Sequence, residues 1–100
     1  MAKYRLSTRA DSDIAGIAYH SIKKFGVTQA RRYREGLEES FRALAEDARR
    51  GRRAEHLASN LRRYNYESHV IFFLPEKKGV LIVRVLHQRM DFQRHPLGDD

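Results

Sequence analysis

The run Val80-Leu81-Ile82-Val83-Arg84-Val85-Leu86 is apolar at both odd and even positions, and this constrains the chain more than any other feature. Successive residues of a strand face opposite sides of a sheet, so a strand apolar at both parities belongs inside a sheet that is covered on both faces. Something must form each cover. The first half of the chain supplies one of them. Ala10, Ile14, Ile17, Ser21 and Phe25 recur at helical spacing, and Ala30, Tyr33, Leu37, Phe41, Leu44 and Ala45 repeat the pattern further on. Each set is the apolar stripe of an amphipathic helix.

The helix ends are marked by residues with a physical reason to sit there. Ser7 or Thr8 offers a side-chain oxygen to the free amides of a first turn, and Asp11 and Asp13 complement its positive end. Gly26 is a stop for the first helix, and Thr28 is placed to cap the second. A one-residue link at Val27 then implies an antiparallel helical hairpin. Glu38 precedes Arg42 by one turn, acid first, in the order that supports a helix. The pattern fades at Arg49-Arg50-Gly51, and Arg52 to Asn60 is polar and unpatterned.

From there the period changes to that of strands. Tyr4-Arg5-Leu6 at the start, Leu61 to Tyr64, His69 to Leu74 and Val80 to His87 are rich in β-formers. Asn65 to Ser68 and Pro75 to Gly79 are turns of hairpin length. The expected order is β-α-α-β-β-β. This is an α+β fold over residues 1–100 as one domain: an N-terminal strand, an antiparallel helical hairpin, then a three-stranded antiparallel sheet with helices on one face.

Composition narrows the function classes. Twenty Lys and Arg against thirteen Asp and Glu leave a net charge of +7, most of the cations being Arg, whose planar fork suits carboxylates and phosphates. The sequence has no Cys, so disulfides and thiolate metal sites are excluded. His20, His56, His69, His87 and His95 are scattered without metal-ligand spacing, and no Gly-rich phosphate loop or Ser-bearing elbow is present, so neither metal nor cofactor is expected. There is no apolar run long enough for a membrane span, and the first residues lack the apolar core of a signal peptide; the cytoplasm is the expected compartment.

The ordered set of motifs resembles the ParE toxins of the RelE/ParE superfamily. It comprises Tyr4-Arg5-Leu6-Ser7 with Ala10, Asp13 and Ile14; Phe25-Gly26 with Gln29-Ala30 and Tyr33; and Leu44-Ala45-Glu46 with Gly51. Leu61-Arg62-Arg63, Ser68 to Phe73, and Ile82-Val83-Arg84-Val85-Leu86-His87-Gln88-Arg89-Met90-Asp91 complete it. The resemblance implies the toxin of a type II toxin–antitoxin module, held inactive by an acidic ParD-like antitoxin and acting on DNA gyrase by direct binding. DNA is then contacted only through the antitoxin, since no helix-turn-helix is evident here. The same superfamily holds ribosome-dependent mRNA endonucleases of the RelE type, which is the alternative activity.

Candidate site residues follow. Arg63, Arg84 and His87 are the set an endonuclease would draw on, but the tail Gln88 to His95 lacks the Tyr typical of such enzymes, and Phe92 has no hydroxyl; no catalytic set is therefore expected. Arg49, Arg50, Arg52, Arg53, Arg63 and Arg89 are candidates for contact with antitoxin or target. His69, Arg84, His87 and Asp91 are expected to form a structural polar cluster. In it Arg84 pairs with Asp91 or with a carboxylate from the helices, and His87 pairs with Asp91 four residues on. A sheet with one helix layer leaves its other face or an edge to be covered, as an antitoxin segment lying in a groove or added as an edge strand would do.

Overall fold

The computed structural model describes residues 2–94. Strand β1 (Lys3–Leu6) leads into helix α1 (Thr8–Phe25), helix α2 (Val27–Glu46) and a 3-10 turn at Ala48–Arg50. Strands β2 (Arg52–Arg53), β3 (Arg62–Tyr66), β4 (His69–Glu76) and β5 (Gly79–His87) follow. The α+β class stands, and helices and strands fall in the expected order. The sheet, however, has five strands in the order β1-β5-β4-β3-β2, not three. β1 joins it in parallel beside β5, from Lys3 opposite Gly79 to Leu6 opposite Ile82. β2 is the other addition, two arginines paired antiparallel with β3, too short and too polar to show a strand period.

Ser7, of the two candidates, caps α1: its Oγ accepts the Ala10 amide at 3.0 Å. Gly26 does end that helix, with φ 90° and its own N–H donated to Ile22. It also begins the next. Because one glycine in a conformation open to few other residues reverses the chain, α2 starts at Val27 with no link, and Thr28 lies inside the helix instead of capping it. Glu38 meets Arg34 at 3.9 Å, one turn back, in place of Arg42. The α2 stripe is buried at Ala30, Leu37, Phe41, Leu44 and Ala45. The α1 stripe is buried only at Ala10 and Ile14 and fades until Phe25 is 64% exposed.

The turns are shorter than expected, because strand pairing extends to the residues flanking each loop. Asn65 and Tyr66 belong to β3, leaving Glu67-Ser68; Pro75 and Glu76 belong to β4 and Gly79 to β5, leaving Lys77-Lys78. Both faces of β4 and β5 are buried, as the apolar run requires. Ile71, Phe73, Val80, Ile82 and Val85 pack against the helices with Leu37, Phe41 and Leu44. Val70, Phe72, Val83 and Leu86 form a second core with Ala54 and Leu61, against which Leu57, Ala58 and Phe92 pack. The second face is thus covered by the chain itself, by the unpatterned 54–61 segment and the 3-10 turn Phe92–Arg94. It is not left open for an antitoxin, and the sequence hid this because irregular segments carry no period to read.

Candidate functional site

The register of β4 against β5 slips where Phe72 faces Arg84 and Phe73 faces Ile82, so Val83 is an extra residue on β5. Such a bulge leaves backbone groups without ladder partners and re-aims a side chain. Here the N-terminus of α1 takes up those groups. Ser7 donates its hydroxyl to the Val83 carbonyl at 2.7 Å, and the Ser7 amide reaches the Ile82 carbonyl at 2.9 Å. Asp13 accepts from the Val85 amide at 2.9 Å and from Arg84 through Nε at 2.8 Å and Nη2 at 2.9 Å. The Arg84 and Asp13 side chains are only 12% and 13% exposed, which makes this a nearly buried fork-to-carboxylate pair. A helical carboxylate, not Asp91, holds Arg84.

Beyond the bulge, a cleft of about 720 Å³ opens between the C-terminal half of α1 and the far ends of β4 and β5. Ile17, His20, Phe25, Tyr33, His69, His87 and Met90 line it. Paired across the strands, the His69 and His87 rings meet edge to face, 5.4 Å between centroids. Tyr33 on α2 shares a 2.7 Å hydrogen bond between its Oη and His69 Nδ1, with its ring 5.5 Å from the imidazole. Burial pushes the His69 pKa down, His87 pushes the same way, and the Asp13 carboxylate opposes both. Tyr33 reads in the sequence only as part of a buried stripe; nothing there signals its hydroxyl contact with a residue 36 positions away.

The structure brings together part of the expected polar cluster. His69 and His87 come together, and Arg84 is on the same strand but turned to Asp13. Asp91 stands outside: its carboxylate accepts from the Gln93 amide and lies 3.4 Å from Arg94, while His87 Nδ1 accepts from the Arg89 amide. The endonuclease-like set does not assemble either. His87 lies with His69 on the helix side, whereas Arg63 lies opposite Phe72 on the second face, its guanidinium 5.8 Å from the Phe72 ring and 5.3 Å from that of Phe92. Among the described residues, no three His, Asp or Glu side chains converge to hold a metal ion; His95 lies outside those residues.

The candidate contact arginines split into two places. Arg89 follows β5 beside the cleft, and Arg49, Arg50, Arg52 and Arg53 occupy the opposite edge of the sheet. Arg49 is paired with Asp47 at 3.0 Å, exposed to solvent. Arg62, not singled out by its sequence, donates to the carbonyls of Ala48 at 3.1 Å and Gly51 at 2.7 Å and ties the 3-10 turn to β3. No helix among the described residues is long and apolar enough to cross a membrane.

Two helices on a mostly antiparallel sheet, with a parallel first strand and a bulge clasped by the first helix, define a small α+β domain with one helical layer. A solved structure described as the chromosomal ParDE TA system from P. aeruginosa has the same fold, with a TM-score of 0.74 at 19% identity over 87% of this chain and 96% of that one. The sequence profile of the ParE toxin of type II toxin–antitoxin system, parDE, matches residues 4–92, and the chain belongs to that family. Toxin ParE1 of Caulobacter vibrioides is 38% identical over 95% of this chain and 98% of its own length. Toxin ParE of Escherichia coli is 34% identical over 91% and 89%.

Proposed function

We propose that this ParE-family toxin is neutralised by an acidic, ParD-like antitoxin and, when freed, inhibits DNA gyrase in the cytoplasm by binding rather than by catalysis. The observation that carries the antitoxin is the bare tip of the helical hairpin. Tyr19, Ile22, Phe25 and Val27 are 59%, 46%, 64% and 56% exposed, on a chain whose other large apolar residues are mostly covered. An apolar patch of this kind suits the apolar face of an amphipathic segment, and the groove at Ile22 and Val27 is rimmed by both signs of charge, Arg31 and Arg34 with Glu35 and Glu38. That the P. aeruginosa structure is of a ParDE system supports the same reading. Sequence-specific reading of DNA falls to the antitoxin.

Binding without catalysis is supported by the dispersal of Arg63, Arg84 and His87, with Arg84 held by Asp13. One observation favours the endonuclease alternative: Tyr33 and His69 form a hydroxyl–imidazole couple in an open cleft, the kind of pair that moves a proton. The two readings separate in one pair of assays. Purified toxin should abolish gyrase supercoiling and leave ribosome-bound transcripts whole. Unaffected supercoiling, with no DNA-damage response in expressing cells, removes the gyrase reading; transcripts cut by the native chain and spared by His69→Ala establish the other.

A further inference from the structure

The edge of the sheet away from the cleft is built as a strip of positive charge. Residues 47–63 hold six arginines against two acids, so four of the chain's seven excess positive charges fall in this short stretch. The register concentrates them. Arg52 lies directly opposite Arg63, and Arg53 directly opposite Arg62. Directly opposed residues of an antiparallel pair share a face with Cβ atoms about 5 Å apart, a spacing at which like charges repel. The two pairs, one on each face of the sheet, both work against the pairing of a strand only two residues long.

The inner pair has local uses: Arg62 holds the 3-10 turn through two carbonyls, and Arg63 lies over Phe72 and Phe92. Arg50, Arg52 and Arg53 are exposed and form no salt bridge among the described residues; Arg50 ends the 3-10 turn that Arg62 fixes in place, and Arg52 and Arg53 make up β2. A protein interface needs an apolar centre within its polar rim. Among the described residues this edge has none, since the exposed large apolar residues, Tyr19, Ile22, Phe25, Val27 and Met90, all lie elsewhere. A partner recognised by charge alone, through guanidinium forks at strand spacing, is a run of phosphates.

We propose that the β2 edge, through Arg50, Arg52 and Arg53 with Arg63 behind them, binds the phosphate backbone of nucleic acid without reading its sequence. This contact is separate from the antitoxin's reading of DNA and does not depend on gyrase being the target. The bland competitor is that charge on a short edge strand only deters edge-to-edge association. Arg52→Glu with Arg53→Glu separates the two, because it keeps the edge charged while repelling phosphate.

The test is fluorescence anisotropy of the full chain with labelled 20-nucleotide single-stranded DNA, single-stranded RNA and duplex DNA over a salt series. Binding of the native chain to at least one of them is expected, and the arm that binds tightest names the source of the phosphates. The double Glu variant should bind at least tenfold more weakly, and its log–log salt slope should flatten by about 1.4 on a single strand or about 1.8 on duplex DNA, the values for two lost phosphate contacts. Lys77→Glu with Lys78→Glu, in the β4–β5 turn, removes the same net charge two strands away and should change affinity less than threefold. The proposal is overturned if no nucleic acid binds at low salt, or if both double variants lose binding equally. It also falls if polyglutamate binds as tightly and is lost in the same variant, which would mark the edge as a site for acidic protein. Circular dichroism of each variant checks that the fold is intact; should the Glu variant fail it, Arg52→Ser with Arg53→Ser takes its place under the same criteria.

Discussion

Asp13 and Arg84 are 71 residues apart in sequence and meet through two nitrogen–oxygen contacts of 2.8 and 2.9 Å, with the Asp13 carboxylate also holding the Val85 amide. One carboxylate thus satisfies both the side chain and the backbone group that the β5 bulge turns out of the ladder. Removing it takes the shared acceptor from a nearly buried guanidinium and from a backbone amide. Asp13→Ala should therefore cost about 3–5 kcal/mol, as expected for breaking one side of a buried pair. Arg84→Met keeps the stem and leaves Asp13 its backbone partner, so it should cost less. Urea unfolding of the two single variants and the double variant gives the coupling energy. Equal losses in all three would show one unit acting together, and additive losses would show that the pair is not coupled.

The N-terminal strand makes a different kind of demand at Gly79. Its φ is +150°, and a Cβ added there would lie 1.7 Å from the Lys3 carbonyl oxygen of the parallel neighbour. No side-chain movement relieves a clash with backbone. Gly79→Ala should cost at least about 2 kcal/mol, combining strained backbone with displaced pairing. Amide exchange should show the loss first at β1, whose Lys3 amide bonds to Lys78. Unchanged protection of Lys3 to Leu6 in the variant would mean that β1 does not depend on this close approach.

These two relationships mark what the sequence shows and what it conceals. The helices, the paired strands and the buried β5 run are legible because period and capping are local properties of the chain. Ser7 is readable as a cap, but its second bond, to the Val83 carbonyl 76 residues away, exists only because β1 ends beside the bulge. The bulge itself leaves no mark, since Val83 fits an alternating strand as well as its neighbours do. For the same reason Arg84 looks like a site residue in a line of apolar ones, and its partner on α1 looks like a helix-dipole acid. β2 has no apolar residue from which to read a period, and the 54–61 segment that covers the second core has no period at all.

His69 sets a direction for pH dependence. Its folded-state pKa is lowered, by burial first and by His87 second, against the opposing Asp13. Between the lowered value and the unfolded value near 6.5, the unfolded chain binds more protons than the folded one. The contribution to stability is therefore complete above about pH 6.5 and is lost as pH falls through the folded-state value. Denaturant midpoints measured from pH 7.5 downward should fall in that window. His69→Gln should flatten the dependence there, and a proton NMR titration should place the His69 imidazole below 6.5. A His69 titration at or above 6.5 would contradict this assignment.

The helical tip carries the last prediction. Ile22 is 46% exposed and Phe25 64% exposed, and they stand where α1 ends, beside the start of α2 at Val27. Neither is among the buried residues of the two cores, so their replacement by polar residues leaves the fold nearly untouched. If an amphipathic antitoxin segment anchors there, each large apolar side chain it covers contributes about 1.5–3 kcal/mol. Ile22→Ser with Phe25→Ser should therefore weaken antitoxin binding by at least one hundredfold, read by titration calorimetry against the antitoxin encoded beside the toxin. The melting temperature of the free toxin should shift by no more than a few degrees. Gyrase inhibition by the unbound variant should persist while the antitoxin no longer reverses it. Full neutralisation of the double variant at native antitoxin concentrations would place the docking surface elsewhere, with the cleft between α1 and β5 as the next face to test.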